Sequence, residues 1–214
     1  MALKIGVVSQ KGGVGKSTLA RVIACEYAGN GWEVKIADMD KGQTTVGRWH
    51  ARRLARGFAP EISVEQFSRV DRALRIEDRY DLLVFDGAPH ATLTTKELAK
   101  VANLIVVPSG VSLDDLEPTV LLAHDFRAAG ISPDIIAIAL CRVGDSVAEL
   151  DEARAYIDKA GYPALKGSIP ERTAYRRASD IGLCLTETRY RSLNDRAAEL
   201  VQSIIDRVAI LEEV

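Results

Sequence analysis

Short apolar runs alternate along the chain with longer segments in which apolar residues recur every three or four positions. Most of the runs are continuous rather than alternating, which is typical of strands that helices cover on both faces. We therefore predict strands at Leu3–Val8, Val34–Asp38, Ile62–Gln66, Leu82–Asp86, Leu104–Pro108, Ile135–Leu140 and Leu165–Ile169. The intervening helices are predicted at residues 17–29, 45–56, 69–79, 92–101, 113–129, 146–160 and 192–210. This alternation predicts an α/β fold with a mostly parallel, twisted sheet and helices on both faces.

The composition is that of one folded domain spanning residues 1–214. Hydrophobic residues make up 47% of the chain and charged residues 27%, which is enough for a packed core. The 28 Lys and Arg residues and the 30 Asp and Glu residues leave a net charge of −2. This balance excludes a polycation that coats nucleic acid over its whole surface. Any contact with nucleic acid must therefore come from a local basic patch.

The sequence carries no signal typical of a secreted, zinc-binding or membrane-spanning protein. Its cysteines, Cys25, Cys141 and Cys184, are widely separated and form no Cys-x-x-Cys pair, which argues against a disulfide framework or a zinc site. The longest apolar run, Ile135–Cys141, has seven residues, whereas a membrane span needs about 20. The N-terminus leads directly into the first apolar run without a secretory signal pattern. We expect a cytoplasmic protein.

A glycine-rich loop follows the first predicted strand and precedes the first predicted helix. Its core, Gly12–Ser17, reads Gly-Gly-Val-Gly-Lys-Ser. The glycines let consecutive backbone N–H groups turn toward an anion, and the start of the helix adds further donors. Lys16 supplies a cation for the β- and γ-phosphates, and the Ser17 hydroxyl can bind Mg²⁺. The loop therefore predicts a site for a nucleoside triphosphate.

Lys11 lies just before this core, where phosphate binding within one subunit does not require a lysine. The stretch from Lys11 to Ser17 resembles the deviant Walker A motif of the ParA/MinD family of ATPases. The resemblance implies a P-loop ATPase with ATP and Mg²⁺ as cofactors. It also implies an ATP-dependent homodimer in which Lys11 reaches the partner's nucleotide and acts in catalysis with Lys16. The implied nucleotide-binding loop consists of Lys11, Gly12, Gly13, Val14, Gly15, Lys16, Ser17 and Thr18.

Acidic residues end two of the predicted strands. In a parallel sheet the carboxyl ends of the strands share one edge, so Asp38, Asp40 and Asp86 are expected near the glycine-rich loop. Asp86 ends an apolar run and resembles the Walker B carboxylate that holds Mg²⁺ together with Ser17. Asp40 resembles the family's switch I aspartate, which orients the attacking water and lies near the metal. The sequence alone leaves open whether Asp38 or Asp40 has that role. Residues 41–43, Lys-Gly-Gln, depart from the Pro-Gln that many members carry after this aspartate.

Two later segments resemble the parts of the family that bind adenine. Arg142 follows Cys141, which occupies a position where many members have an Asn that contacts the base. A thiol is a weak hydrogen-bonding group, so recognition of the base must depend more on backbone groups and shape. Pro170 and Glu171 resemble the segment whose backbone groups read the edge of adenine. The preference for ATP over GTP is therefore implied mainly by the resemblance.

The segment from Lys166 to Arg196 contains seven basic and four acidic residues, a net charge of +3 within an acidic chain. Basic side chains gathered on one surface bind phosphates without reading base sequence. For any single arginine, a solvated helical surface with ion pairs is an equally good interpretation. DNA-binding members of the family carry basic contact residues in this region. The resemblance therefore implies DNA contacts by Arg172, Arg176, Arg177, Arg189 and Arg191.

Together these features predict a small ParA-type ATPase that binds DNA non-specifically in its ATP-bound dimeric state. Such a protein segregates or positions a plasmid, a chromosome or another cargo on the nucleoid, and an adaptor protein stimulates its slow ATP hydrolysis. One alternative is a MinD-like membrane positioner, but the final residues, 209–214, are acidic rather than basic, so we predict no membrane binding. A second alternative is a P-loop small-molecule ligase, for which the sequence offers no separate substrate domain.

Overall fold

A computed structural model describes residues 1–40, 42, 44–89 and 93–213 of the chain, and within strand β4 it leaves the side chain of Pro89 undescribed. Seven strands form one parallel sheet in the order β3-β2-β4-β1-β5-β6-β7. Their bounds are β1 Leu3–Ser9, β2 Val34–Asp38, β3 Ser63–Gln66, β4 Leu82–Pro89, β5 Leu104–Ser109, β6 Ile136–Val143 and β7 Ile169–Pro170. The predicted α/β fold with a parallel sheet is confirmed.

Helices connect the strands and cover both faces of the sheet. Their bounds are α1 Lys16–Gly29, α2 Thr45–Ala55, α3 Val70–Leu74, α4 Leu93–Val101, α5 Leu113–Ala128, α6 Val147–Lys159, α7 Thr173–Asp180 and α8 Arg191–Glu212. Short 3-10 helices occur at Glu77–Arg79 and Pro133–Ile135. Among the described residues, no helix combines the length and the apolar character needed to cross a membrane.

The continuous apolar runs have a simple structural cause: successive strand residues enter two different cores. In β4, Leu82 and Val84 pack into the core formed with α1 and α8, whereas Leu83 and Phe85 pack into the core formed with α4, α5 and α6. All four side chains are fully buried. A strand with a helical layer on each face therefore shows no polar alternation.

The strand order brings the chemically important loops together at one edge of the sheet. Strand β1 lies between β4 and β5, and the glycine-rich loop follows its carboxyl end. Asp38 at the end of β2 is paired in register with Asp86 in β4, and Asp86 is also paired with Val7 in β1. Two carboxylates from distant parts of the sequence therefore lie beside the loop, as expected for the carboxyl edge of a parallel sheet.

Two of the predicted elements are wrong in extent. The helix predicted at residues 69–79 ends at Leu74, because the chain turns at Ile76 and thereby packs Ile76 and Tyr80 against the core. The strand predicted at Leu165–Ile169 is interrupted at Gly167, whose φ of +74° leaves the β region; an added Cβ there would lie 2.8 Å from the backbone nitrogen of Leu200. After this interruption, Ile169–Pro170 pairs as strand β7 with β6.

Helix α7, Thr173–Asp180, has no counterpart among the predicted elements. Only Tyr175 and Ala178 of its eight residues are buried, so the segment has too few apolar residues to indicate a helix from the sequence. The other strand and helix bounds differ from the predictions by a few residues at most, although Thr92, at the predicted start of α4, lies outside the described residues. Of these differences, the unpredicted α7 bears on function, because α7 forms one wall of the cavity described below.

Candidate nucleotide-binding site

The glycine-rich loop wraps around a cavity of about 200 Å³ at the start of α1. Gly13 and Gly15 have φ angles of +76° and +110°, in the left-handed region that glycine adopts without strain. Val14 between them is buried. The cavity is lined by Gly12, Gly13, Gly15, Lys16, Ser17, Thr18, Arg21, Asp40, Thr45 and Gly87. Its size and its position at a helix N-terminus fit the phosphates of a nucleotide, and we call it the phosphate cavity.

Lys16, the first residue of α1, is held inside the loop. Its ammonium donates a hydrogen bond to the backbone oxygen of Lys11 at 3.0 Å, and the residue is buried. Burial lowers the pKa of Lys16, and the charges of Asp86 and Asp40 oppose that shift. The side chain therefore places a cation at the wall of the phosphate cavity, as the sequence predicts for a phosphate ligand.

Asp86 is the acidic residue most deeply buried at this edge of the sheet. Burial raises the pKa of Asp86 to about 7, against the opposing effects of a hydrogen bond from Ser17 and the charges of Arg21 and Lys16. Its Oδ1 is buried and has no hydrogen-bond partner in the part of the chain that the structure describes. A buried carboxylate oxygen beside a hydroxyl group fits a hard divalent cation such as Mg²⁺. When bound there, Mg²⁺ would offset the negative charge of the nucleotide phosphates.

Asp38 and Asp40 occupy different positions relative to the phosphate cavity. Asp40 lines the phosphate cavity, whereas the Oδ1 of the buried Asp38 accepts a hydrogen bond from the Asp40 backbone nitrogen at 3.0 Å. Burial raises the pKa of Asp38 to about 6. Asp40 in turn accepts a hydrogen bond from the Gly42 backbone nitrogen at 2.9 Å, while Lys41 and Gln43 lie outside the described residues. Asp38 therefore supports the segment that carries Asp40.

Lys11 points toward α5. Its Nζ lies 2.8 Å from Oδ1 of Asp115, whose other oxygen accepts a hydrogen bond from the Ser112 hydroxyl at 3.0 Å. The hydrogen bond from Lys11 is the main cause that holds the pKa of Asp115 below its usual range. Asp115 was missed by the sequence analysis, since it is 104 residues from Lys11.

A second cavity, of about 580 Å³, adjoins the phosphate cavity on the side of Thr18. Its walls include Cys141, Arg142, Pro170 and Glu171, the residues that the sequence analysis placed near the base, together with Tyr175 from α7. Cys141 is buried, and burial raises the pKa of its thiol to about 12. The wall is therefore neutral and largely apolar at this point, which fits the face of an aromatic base. We call this space the base cavity.

Arg142 contacts both the glycine-rich loop and a residue of the base cavity. Its guanidinium donates to the backbone oxygen of Gly13 at 3.0 Å and to the carboxylate of Glu171 at 2.9 Å. Arg176 pairs with the same carboxylate, and these arginines hold the pKa of Glu171 below its usual range. The glycine-rich loop is thereby connected to the segment that carries Pro170 and Glu171.

The five arginines predicted to contact DNA fall into two groups. Arg172 and Arg176 line the base cavity, where they pair with Asp145 and Glu171. Arg177 lies between the base cavity and a groove of about 330 Å³ that Arg189 also lines. The guanidinium carbon of Arg189 lies 4.7 Å from the ring centre of Tyr190, and the Arg191 side chain is 95% exposed.

Comparison with known proteins identifies folds similar to this one and the family of the chain. A search of curated protein sequences finds no significant match. The structure resembles the cell division ATPase MinD of Pyrococcus furiosus, with 18% identity, a TM-score of 0.76 and coverage of 96% of this chain and 99% of that one. It also resembles a protein assigned to plasmid partition in Borrelia burgdorferi B31, solved with AMPPNP, with 16% identity, a TM-score of 0.74 and coverage of 97% and 100%.

A third similar structure is cobyrinic acid a,c-diamide synthase of Mycobacterium smegmatis, solved with an ATP analogue and magnesium, with 14% identity, a TM-score of 0.73 and coverage of 96% and 94%. At these identities the likeness establishes the fold alone. The site itself fits ATP and Mg²⁺ as cofactors, because a phosphate cavity, a base cavity and a buried oxygen of Asp86 meet at the glycine-rich loop. Residues 5–185 match the model of the CobQ/CobB/MinD/ParA nucleotide binding domain. The chain belongs to this family of nucleotide-binding ATPases.

Proposed function

We propose that this protein is an ATP-dependent switch that dimerises with ATP, binds DNA non-specifically and positions or segregates a cargo such as a plasmid or chromosome. The position of Lys11 carries the proposal. Its side chain is 41% exposed and pairs with Asp115 on α5 instead of with the acidic residues of its own phosphate cavity. An exposed cation beside the loop is suited to bind a nucleotide that a second subunit presents across an interface.

The proposed contact with DNA uses basic residues at the end of α7 and in the segment that follows it, which we call the basic segment. Arg177, Arg189 and Arg191 supply cations there, and Arg191 is almost fully exposed. One such patch binds DNA weakly, whereas a dimer presents two, and the logarithm of affinity increases with the number of phosphates contacted. DNA binding would therefore depend on ATP through dimerisation. The protein would associate with the nucleoid only in the ATP state.

The proposed hydrolysis step uses Asp40 and Lys16. Asp40 lines the phosphate cavity and is suited to accept a hydrogen bond from the water that attacks the γ-phosphate. Lys16 places positive charge beside the phosphates, where negative charge develops in the transition state. We propose that turnover is slow in the isolated protein and that a cargo-adaptor protein accelerates it by completing this arrangement.

A MinD-like membrane positioner is the first alternative. The structural likeness to MinD supports it as well as it supports a DNA-binding switch. A small-molecule ligase is a further alternative, and it predicts product formation rather than ATP-dependent binding to a polymer. These alternatives make different predictions for the same purified protein.

The test is binding of the full chain to a random-sequence DNA duplex with ATP, with ADP and without nucleotide, over a series of salt concentrations. Anionic vesicles serve as a parallel arm, and bound nucleotide is quantified in every sample. Tight, salt-sensitive DNA binding with ATP alone supports the proposal. ATP-dependent binding to vesicles but not to DNA would support the membrane alternative, and binding to neither, with ATP bound, would overturn the proposal.

A further inference from the structure

Arg21 is a buried arginine in the second turn of α1. The residue is 6% exposed, and its guanidinium donates hydrogen bonds to the backbone oxygen of Ser17 at 2.7 Å, to Oγ1 of Thr18 at 3.3 Å and to Oγ of Ser179 at 2.7 Å. It also lies against the ring of Trp49, with its central carbon 5.7 Å from the ring centre. Every one of these partners is uncharged.

A buried guanidinium normally has a carboxylate partner, and Arg53 shows this in the same molecule. Arg53 donates to both oxygens of Glu187 at 2.8 Å. Over residues 1–40, 42, 44–89 and 93–213, by contrast, no carboxylate comes within 4.0 Å of the Arg21 guanidinium. Asp86 acts on Arg21 only as a nearby charge. Because an uncompensated buried charge is costly, the lack of a counterion at Arg21 requires an explanation.

The position of the Arg21 side chain explains why it has no counterion within the chain. Side chains of a helix point back toward its N-terminus, which places the Arg21 guanidinium over the first turn of α1, beside Ser17 and Thr18. Arg21 also forms part of the wall of the phosphate cavity, together with Lys16 and Thr18. Burial lowers the pKa of Arg21 to about 10, so the group is still a cation at neutral pH. A cation without a counterion thus borders the space that the phosphates are expected to fill.

We propose that Arg21 is a further phosphate-binding residue, whose counterion is a phosphate oxygen of the bound nucleotide. The inference deepens the proposed function and rests only on its nucleotide-binding step. Lys16 and Arg21 would then contribute positive charge from two successive turns of α1. Through its hydrogen bond to Ser179, Arg21 would also connect the occupied phosphate cavity to α7, which walls the base cavity.

The test compares Arg21→Met, which removes the charge but retains much of the apolar stem, with Arg21→Lys, which retains the charge. Arg56→Met, at an exposed arginine just after α2, is the matched control. The affinity of each nucleotide-free protein for MgADP is measured by calorimetry, and thermal midpoints are recorded with and without magnesium pyrophosphate. ADP binding requires neither dimerisation nor DNA, so the result is independent of whether the DNA-binding proposal is correct.

We expect Arg21→Met to weaken MgADP binding about tenfold, which is what one charge-assisted hydrogen bond contributes. We expect Arg21→Lys to weaken it by less than about threefold, and Arg56→Met to bind as the natural protein does. Magnesium pyrophosphate, which has no base, should stabilise Arg21→Met less than the natural protein. Arg21→Gln, which is uncharged but can still donate to Ser179, replaces Arg21→Met if the latter does not fold. Unchanged MgADP affinity in the neutral variant would overturn the proposal, as would an equal loss in Arg21→Lys and the neutral variant.

Discussion

The ammonium of Lys11 lies 2.8 Å from a carboxylate oxygen of Asp115 within the same chain. The lysine belongs to the glycine-rich loop and the aspartate to the first turn of α5. If Lys11 binds the partner's nucleotide in the dimer, it must leave Asp115 first. The ion pair would then favour the monomer, because its energy is lost when the dimer forms.

Asp115→Asn should therefore strengthen dimerisation. Partly exposed ion pairs contribute about 0.2–1 kcal/mol each, and two are lost per dimer, so the dimer dissociation constant measured with a non-hydrolysable ATP analogue should fall by about twofold to thirtyfold. Analytical ultracentrifugation measures this constant. Asp114→Asn, next to it on α5, is the control and should have no effect.

Lys11→Ala should still bind nucleotide but fail to dimerise, and a Lys11→Ala protein that dimerises normally would remove the proposed role of Lys11.

Asp40→Ala should nearly abolish ATP turnover while nucleotide binding persists, because Asp40 lines the phosphate cavity near Lys16, whereas the glycine-rich loop and Lys16 are expected to hold the phosphates. The ATP-bound dimer should then accumulate and stay longer on DNA. Turnover and the rate of dissociation from DNA after dilution are the measurements. Asp38→Asn provides the comparison: it removes a charge beneath Asp40 and should alter turnover less. The reverse order of the two effects would assign the water-orienting role to Asp38.

Asp86 should make the stability of the nucleotide-free protein depend on pH. Burial raises the pKa of Asp86 to about 7 in the folded state, well above its ordinary value of 3.8. The folded protein therefore binds more protons than the unfolded chain between about pH 4 and pH 7. The contribution of Asp86 to the free energy of unfolding is complete below pH 4 and is lost as the pH rises through 7.

Urea unfolding of the natural protein and of Asp86→Asn, with chelator and without nucleotide, measures this contribution. The natural protein should lose stability relative to Asp86→Asn between pH 5 and pH 8, by an amount on the order of 2 kcal/mol or more. Adding Mg²⁺ and ADP should reduce that loss, since a bound cation favours the ionised carboxylate. A stability difference between the two proteins that does not change with pH would contradict the raised pKa.

Arg189→Glu should weaken binding to all DNA sequences alike, because Arg189 is expected to contact phosphates rather than bases. The plot of log affinity against log salt concentration should become less steep, with the magnitude of its slope reduced by about one to two. Arg69→Glu, at an exposed arginine outside the basic segment, is the control. Arg176→Glu should act differently and weaken nucleotide binding, because Arg176 pairs with Glu171 at the base cavity. Equal DNA affinity of Arg189→Glu and Arg69→Glu would exclude the groove beside α7 from the DNA contact.

The sequence by itself determined most of the strands and helices and the phosphate loop, although not α7. Continuous apolar runs indicate strands between two helical layers, and Lys11, Lys16 and Ser17 lie in a short motif whose geometry depends mostly on neighbouring residues. Because the carboxyl ends of parallel strands share one edge of the sheet, the sequence also predicts that Asp86 and Asp40 lie near the loop. These features are local, or they follow from the parallel arrangement of the sheet.

Only the tertiary structure decided which distant side chains meet. The pairing of Lys11 with Asp115, the hydrogen bond from Arg21 to Ser179 and the contact of Arg142 with Gly13 each join residues more than a hundred positions apart. Such contacts depend on the path of the whole chain, whereas a periodic pattern reports only which face of an element is buried. For the same reason, Arg172 and Arg176, which read as part of a basic surface in the sequence, line the base cavity in the fold.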